Sequence, residues 1–290
     1  MSSVESSSLE IHLDPVRDNY AVMGNPIAHS KSPFIHTSFA EQTNQSISYQ
    51  AIHVPEGQFA SAVQQFRELG GKGLNITVPY KQDAYRLCNS LTIRAQAAMA
   101  VNTLWFGDDG QISGDNTDGV GLLRDLLNNC IQVQGSKILI IGAGGAVRGI
   151  LGPLFEQQPE SILIANRTVN KAVDLASSIQ ANNISACGID TLENKGNFDV
   201  IINGTSSGLK GELPPLPSSI ISKDSCCYDM VYGDTETVFN QWCKGHGASK
   251  ALDGLGMLVE QAAESFYIWR GVKPTSQQVI NILRNDLKLN

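Results

Sequence analysis

The sequence predicts an α/β protein of two domains: an N-terminal α/β substrate domain and a Rossmann-like domain with a doubly wound parallel sheet. Three observations carry this. The chain has 290 residues, long for one domain and ordinary for two. Residues 137–168 read as strand, glycine turn, helix and strand: Lys137-Ile-Leu-Ile-Ile, then Gly142-Ala143-Gly144-Gly145-Ala146, a helical run, and Ile162-Leu163-Ile164-Ala165-Asn166-Arg167-Thr168. Phe198-Asp-Val-Ile-Ile-Asn is almost continuously apolar, the pattern of a strand covered on both faces, and strands alternate with helices around it.

The elements follow in order. Tyr20-Ala-Val-Met is a short strand ending at Gly24-Asn25-Pro26, and Ser32-Pro33 opens a helix to about Gln42, with serine as its cap and proline at the first helical position. Residues 47–54 form a strand. Residues 55–69 form a helix with Phe59, Ala62, Val63 and Phe66 on one face. A strand over 73–78 stops at Pro79, a helix runs to about Leu87, residues 91–99 are helical, and 101–106 is a strand leading to a hairpin turn at Asp108-Asp109-Gly110. After a helix over 117–129, strands are expected at 137–141, 161–165, 184–188, 198–202, 225–229 and 248–251. Leu213-Pro-Pro-Leu-Pro makes a rigid surface loop. Helices 255–270 and 275–287 have no strand between them, so they are expected to leave the second domain and pack back on the first. The domains are then 1–117 completed by 255–290, and 118–254. Residues 1–17 read as a flexible polar extension.

Composition narrows the function. A formal charge of −7 without any basic run argues against nucleic acid. Six cysteines, at 88, 130, 187, 226, 227 and 243, form no Cys-x-x-Cys pair, so neither a metal site nor a disulfide scaffold is expected. No apolar run reaches the ~18 residues of a membrane span, and the N-terminus has no signal-peptide pattern. A cytoplasmic protein with reduced thiols is the expectation, working as a monomer or homodimer.

The 137–168 unit is built to hold a dinucleotide. Gly142 permits the tight turn, Gly144 admits the pyrophosphate, and the unpaired N–H groups opening the next helix favour an anion. A full G-x-G-x-x-G would place glycine at 147, where Val147 stands, so Gly145 and Ala146 are expected to provide the close helix–strand packing. Many such units end their second strand on an acidic residue that grips a ribose hydroxyl. Here Asn166-Arg167-Thr168 puts an arginine there, which suits a 2′-phosphate and hence NADP. An arginine that simply meets solvent at a strand end is the structural alternative.

Further motifs point to one family. Gly24-Asn25-Pro26-Ile27-Ala28-His29-Ser30-Lys31-Ser32-Pro33, Asn75-Ile76-Thr77-Val78-Pro79-Tyr80-Lys81, Val101-Asn102-Thr103-Leu104 and Gly114-Asp115-Asn116-Thr117-Asp118-Gly119 occur in that order. Asn203-Gly204-Thr205-Ser206, Tyr228-Asp229-Met230-Val231-Tyr232 and Gly254-Leu255-Gly256-Met257-Leu258-Val259-Glu260-Gln261-Ala262 complete the set. Together they resemble the shikimate dehydrogenases over about residues 18–290. The resemblance implies reversible NADPH-linked reduction of 3-dehydroshikimate to shikimate in aromatic amino acid synthesis, with substrate expected in a cleft between the domains. It departs from the family pattern at Thr37, Met99-Ala100 and Leu209, none of which is a reacting group.

The resemblance implies that Lys81 gives and takes the proton, with Asp118 as its partner at the substrate hydroxyls. Ser30 and Ser32 hold the carboxylate, and Thr77, Asn102, Tyr232 and Gln261 surround the ring, with Asn75 and Tyr80 supporting them. On the cofactor side Asn166, Arg167, Thr168 and Lys171 enclose the phosphorylated ribose, and Met230 and Gly254 lie near the nicotinamide. Thr205 falls at the ligand edge of the sheet. Bland roles stay open: helix-start lysine for Lys81, first-turn aspartate for Asp118, helix cap for Ser32, edge pairing for Thr77 and Asn102, helix-surface glutamine for Gln261. Rival readings are an NAD-linked quinate/shikimate dehydrogenase, a methylenetetrahydrofolate dehydrogenase-like enzyme and a non-catalytic NADPH sensor. Arg167 and the serine pair argue against the first, the serine cradle and the Asn-Thr-Asp segment against the second, and the lysine–aspartate pair against the third.

Overall fold

A computed structural model of the chain describes residues 9 and 11–289. They divide into two compact units. One holds the chain up to Gln96, Ala100–Asn116 and Ser265–Pro274; the other holds Ala97–Met99, Thr117–Glu264 and the chain from Thr275.

The first unit contains β1 (Asp18–Gly24), α1 (Ser32–Thr43), β2 (Ile47–His53), α2 (Phe59–Glu68), β3 (Gly73–Ile76), α3 (Lys81–Leu87) and the two-residue β4 (Ser90–Leu91). After α4 (Ile93–Ala98) come β5 (Thr103–Phe106) and β6 (Ile112–Asp115). The six strands form one sheet in the order β2-β1-β3-β5-β6-β4. β1 is parallel to β2 and β3, whereas β5 is antiparallel to β3 and β6. The carboxyl ends of β1 and β3 therefore meet the start of β5 at one end of the sheet. The expected hairpin joins β5 to β6. α2 starts at Phe59 rather than Pro55, because Gly57 takes a positive φ of 78° and turns the chain first.

Phe59, Ala62, Val63 and Phe66 of α2 are buried against Met23, Leu74 and Leu104, as their spacing predicts. Ile11 joins the same core at 8% exposure, and the Leu9 and His12 carbonyls accept from the Gln65 and Gln50 side chains at 2.8 and 2.9 Å. Residues 11–13 thus pack on this unit instead of trailing as a polar extension; residues 1–8 and 10 lie outside the described residues.

The first unit also buries His36 of α1 completely. Its ring stacks on Tyr49 with centroids 4.2 Å apart and lies beside Trp269, Phe39 and Phe266. Neither ring nitrogen makes a well-formed hydrogen bond. Burial pushes the imidazole down to about 3. In the unfolded chain it takes a proton near its ordinary value of about 6.5. Between those values the unfolded state binds the extra proton, so stability falls as pH drops from about 6.5 towards 3, by up to ~1.4 kcal/mol per pH unit. His36→Phe keeps a stacked ring and removes the proton site. Melting temperatures measured from about pH 6.5 to 4 are expected to decline less steeply in the variant; parallel declines would refute this.

The second unit begins with α5 (Asp118–Asn128). There follow β7 (Lys137–Ile141), α6 (Gly145–Glu156), β8 (Ser161–Asn166), α7 (Val169–Ser177), β9 (Ile184–Gly188), β10 (Val200–Asn203) and β11 (Cys226–Asp229). α8 (Val238–Gly245), β12 (Lys250–Leu252), α9 (Leu255–Arg270) and α10 (Ser276–Leu289) complete the chain. The sheet is parallel throughout, in the order β12-β11-β10-β7-β8-β9. Strand order reverses between β7 and β10, and ligands of such sheets bind outside the carboxyl ends of the strands at that point.

Two local devices set the helices around it. Pro153 sits inside α6 and has no N–H to give the Gly149 carbonyl one turn back. That carbonyl faces α5 at Gly119, where a Cβ would lie 2.4 Å from it, so glycine alone allows the two helices to approach this closely. α10 differs from the expectation that both last helices return to the first domain. Only Ser265–Pro274 group with the first unit. Arg284 of α10 forms a two-pronged pair with Asp253, Ser276 bonds Glu260, and Val279 and Leu283 are buried, so α10 belongs to the second unit.

Candidate active site

In the first unit the predicted substrate residues gather where β1 and β3 end and β5 begins. The loop after β1 carries Ser30 and Ser32. Ser32 is the first residue of α1 and Lys31 occupies the cap position. The hydroxyl that receives the Ser32 N–H, at 3.3 Å, belongs to Ser30. Ser32 therefore does not cap α1 as expected: Lys31 holds the cap position without a side-chain cap bond, and the Ser30 hydroxyl only receives the first helical N–H. Buried Ser32 instead lies beside the Tyr49 hydroxyl. Tyr49 in turn donates to Asn75 Oδ1 at 2.7 Å, and Asn75 donates to the Asn102 carbonyl, Thr103 and Ser265. Asn75 is the hub of this buried polar network.

Thr77 follows β3 directly. Its methyl group occupies the space that a Cβ on Gly24 would need, 2.4 Å away, so the glycine lets the two strand ends meet. Half-buried Lys81 opens α3 four residues later, and its carbonyl accepts the Val101 N–H at 2.9 Å. Tyr80 anchors that turn by bonding the Val54 carbonyl at 2.7 Å and stacking on Phe59. Asn102, 3% exposed, pairs through its backbone with Ile76 and Asp115, and its Oδ1 accepts from Thr103 at 2.8 Å.

Asp115 and Arg94, to which the sequence assigns no role, form a buried hub at the end of β6. Asp115 is 2% exposed and accepts from Arg94 through both oxygens, at 2.7 and 2.6 Å, from Thr92 at 2.6 Å and from the Asn116 N–H at 2.7 Å. Asn116 donates to the Ala100 carbonyl at 3.0 Å. The seven-residue run of polar and glycine residues 113–119, across the end of β6 and the start of α5, was the available signal; the arginine 21 residues before Asp115 had none.

In the second unit Asp118 is the first residue of α5 and is buried at 6% exposure. The preceding Thr117 donates to Gln261 Oε1 at 3.3 Å, and Gln261 donates to the Leu258 carbonyl at 2.8 Å. Gln261 therefore sits over the start of α5, not on a bland helix surface. Burial and, secondarily, Asp253 raise the Tyr232 hydroxyl above its ordinary range.

The glycine turn leaves β7 at Gly142, whose φ of +108° requires glycine. Beyond Gly142-Ala143, a Cβ on Gly144 or Gly145 would meet nothing within 4 Å, so open space lies over the start of α6, where Ala146 is exposed. That space and the N–H groups there fit a dinucleotide phosphate. Gly145 does not supply the close packing expected of it with Ala146. Fully buried Val147 does so against Gly204, where a Cβ would lie 2.3 Å from the valine methyl. The missing third glycine is thus answered by a glycine on the neighbouring strand loop.

At the end of β8, Asn166 donates to the Thr168 carbonyl at 2.8 Å and closes the turn that exposes Arg167, Thr168 and, on α7, Lys171. Met230 follows β11, and the Gly254 Cβ position lies 2.3 Å from its carbonyl oxygen, so these two loops touch through glycine. Among the described residues no cluster of His, Cys, Asp or Glu could hold a metal, and no helix is long and apolar enough to cross a membrane.

A parallel sheet with a dinucleotide turn, joined in one chain to an α/β unit that gathers a lysine with hydroxyl and amide groups, defines a two-domain oxidoreductase. Residues 22–104 match the shikimate dehydrogenase substrate binding domain, 125–210 the shikimate / quinate 5-dehydrogenase family and 254–284 the shikimate 5'-dehydrogenase C-terminal domain. The chain belongs to the shikimate dehydrogenase family. It is 54% identical over 272 residues to the shikimate dehydrogenase (NADP(+)) of Vibrio campbellii, covering 93% of this chain and 98% of that one. Identity to the Alkalilimnicola ehrlichii enzyme of the same name is 56% over 271 residues, 93% and 99% of the two chains. A crystal structure from Thermus thermophilus in complex with NADP(H) and shikimate matches with a TM-score of 0.83 at 30% identity, covering 92% of this chain and 99% of that one.

Proposed function

We propose that the chain reduces 3-dehydroshikimate reversibly to shikimate with NADPH, a step of aromatic amino acid synthesis, with Lys81 moving the proton. NADPH, when bound, supplies the hydride to the ketone carbon. The ketone oxygen then needs a proton, which an ammonium group can give and take back in the reverse direction. The observation that carries this reading is the position of Lys81: it opens α3 at the sheet end where Ser30, Ser32, Thr77 and Asn102 also lie. Asp118 is proposed as a ligand of the substrate hydroxyls, supported by its burial at the start of α5 beside Thr117. Ser30 and Ser32 take the carboxylate; Thr77, Asn102, Tyr232 and Gln261 read the ring, each buried polar group rejecting a substrate that leaves it unpaired. Mixing purified protein with NADPH and 3-dehydroshikimate tests the reading: absorbance loss at the nicotinamide band supports it, and binding without turnover marks a sensor instead.

Arg167, Asn166, Thr168 and Lys171 are proposed to hold the 2′-phosphoribose, Gly142 to Ala146 the pyrophosphate, and Met230 and Gly254 the nicotinamide end. Arg167→Ala is expected to weaken NADPH binding about 10- to 100-fold, the worth of charge-assisted bonds to a phosphate, and to leave NADH nearly unchanged. Titration with both cofactors checks this; equal losses would remove the assignment. The six cysteines are free thiols, which suits the proposed cytoplasmic site. Whether the chain works as a monomer or a homodimer is read by sedimentation velocity.

A further inference from the structure

The carboxylate of Asp229 is fully buried at the end of β11, and none of the roles above uses it. In the sheet it stands directly opposite Asn203, the last residue of β10. Asn203 Nδ2 donates to Asp229 Oδ1 at 3.1 Å, and the Val231 N–H donates to the same oxygen at 3.2 Å. Asn203 then uses its own Oδ1 to accept the Thr205 N–H at 3.2 Å and the Thr205 hydroxyl at 2.8 Å. Thr205 continues the line: its methyl group and the Gly204 carbonyl lie 3.3 and 3.1 Å from the Cβ position of Gly142. On the other side, the Asp229 carbonyl lies 3.3 Å from the Cβ position of Gly254. Through Asn203 and Val231 the carboxylate ties the loops after β10 and β11, and Thr205 and Gly204 pack the first of these against the loop after β7.

Stability alone is a poor reason for such a group. Burying a carboxylate is costly, and an apolar residue of similar volume is often no worse for the fold. Its second oxygen lies buried beside the Thr237 hydroxyl without a well-formed hydrogen bond, so the site does not even satisfy the charge fully. What the carboxylate does supply is an acceptor that fixes Asn203 and Val231 at once.

We infer that Asp229 is a positioning residue for the cofactor: through Asn203 and Thr205 it holds the loops after β7, β10 and β11 in the arrangement that binds the nicotinamide half of NADPH. This rests on the cofactor reading of the second unit. Asp229→Ala removes both accepted bonds, whereas Asp229→Asn keeps an acceptor oxygen in the same place. NADPH binding is followed by the cofactor's own fluorescence, beside the KM for shikimate and a thermal melt. Asp229→Ala is expected to bind NADPH at least about tenfold more weakly, the worth of one to two well-made hydrogen bonds, with the shikimate KM within about twofold of wild type. Asp229→Asn is expected to restore NADPH binding to within about threefold. Should Asp229→Ala fail to fold, Thr205→Val cuts the relay at its other end, and unchanged NADPH binding in that variant overturns the inference. Wild-type affinity in Asp229→Ala, an equal loss in Asp229→Asn, or a rise in the shikimate KM as large as the loss in NADPH binding overturns it too. A wild-type protein that binds no NADPH sinks the cofactor reading itself, a distinguishable outcome.

Discussion

Lys81→Ala is expected to lose about 10²- to 10⁴-fold in turnover, the range that a positioned acid or base contributes, while shikimate and NADPH bind nearly as before. The variant keeps the architecture around the lost amine. The backbone carbonyl of residue 81 still receives the Val101 N–H, Tyr80 still anchors the turn through Val54, and alanine is the best helix former for the start of α3. The ammonium alone is removed. Without it the oxygen left by hydride transfer must take its proton from water. Lys81→Arg separates two roles within the same experiment. A guanidinium still stabilises developing negative charge but cannot release a proton, so a proton-transfer role predicts that arginine rescues little. Stopped-flow single turnovers with each variant measure the chemical step directly. Turnover in Lys81→Ala at the wild-type rate would remove the lysine from the mechanism, and full rescue by arginine would leave it only an electrostatic role.

Most of the second unit is legible in the sequence because its strands are buried on both faces. Lys137–Ile141 stands where its apolar run places it, since a strand covered on both sides cannot hide its pattern; the edge strand Ile184–Gly188, with Ser185 exposed, stands in place without such a run. β4 escaped because two residues, Ser90 and Leu91, carry no period. The glycine motif was read correctly as a turn but not as packing. Its third position is filled by Val147, and the space for that side chain comes from Gly204, 57 positions away and invisible to any local pattern. The same limit explains α10: the Arg284–Asp253 pair that holds it joins residues 31 apart. In the site, residue types at strand ends could be named from sequence, but not which hydroxyl caps a helix. Ser30 and Ser32 differ by two positions, and only the backbone geometry puts Lys31 at the cap and leaves neither serine there.

Asp115→Ala is expected to cost about 2–4 kcal/mol of stability, somewhat below the range for breaking a fully buried pair because Arg94 is partly exposed. The side chains of Arg94 and Asp115 are 27% and 3% exposed. The carboxylate is the common acceptor of four groups: both prongs of Arg94, the Thr92 hydroxyl and the Asn116 N–H. Removing it takes one shared acceptor from a half-buried guanidinium, a hydroxyl and a backbone donor together, and a buried donor that loses its acceptor costs more than the bond itself. The Asn116 N–H also loses its fixed acceptor two residues before Asp118 in the chain, so the substrate-binding role proposed for Asp118 is expected to weaken as well. Asp115→Asn sorts the causes. It still accepts from Thr92 or Asn116 but offers Arg94 no charge, so it is expected to recover about half of the stability and more of the turnover. Urea unfolding and shikimate KM, measured on both variants, test the account. An Asp115→Ala protein as stable as wild type would mean that the Arg94 pair is a surface pair of little worth, and an unchanged shikimate KM would detach this hub from the placement of Asp118.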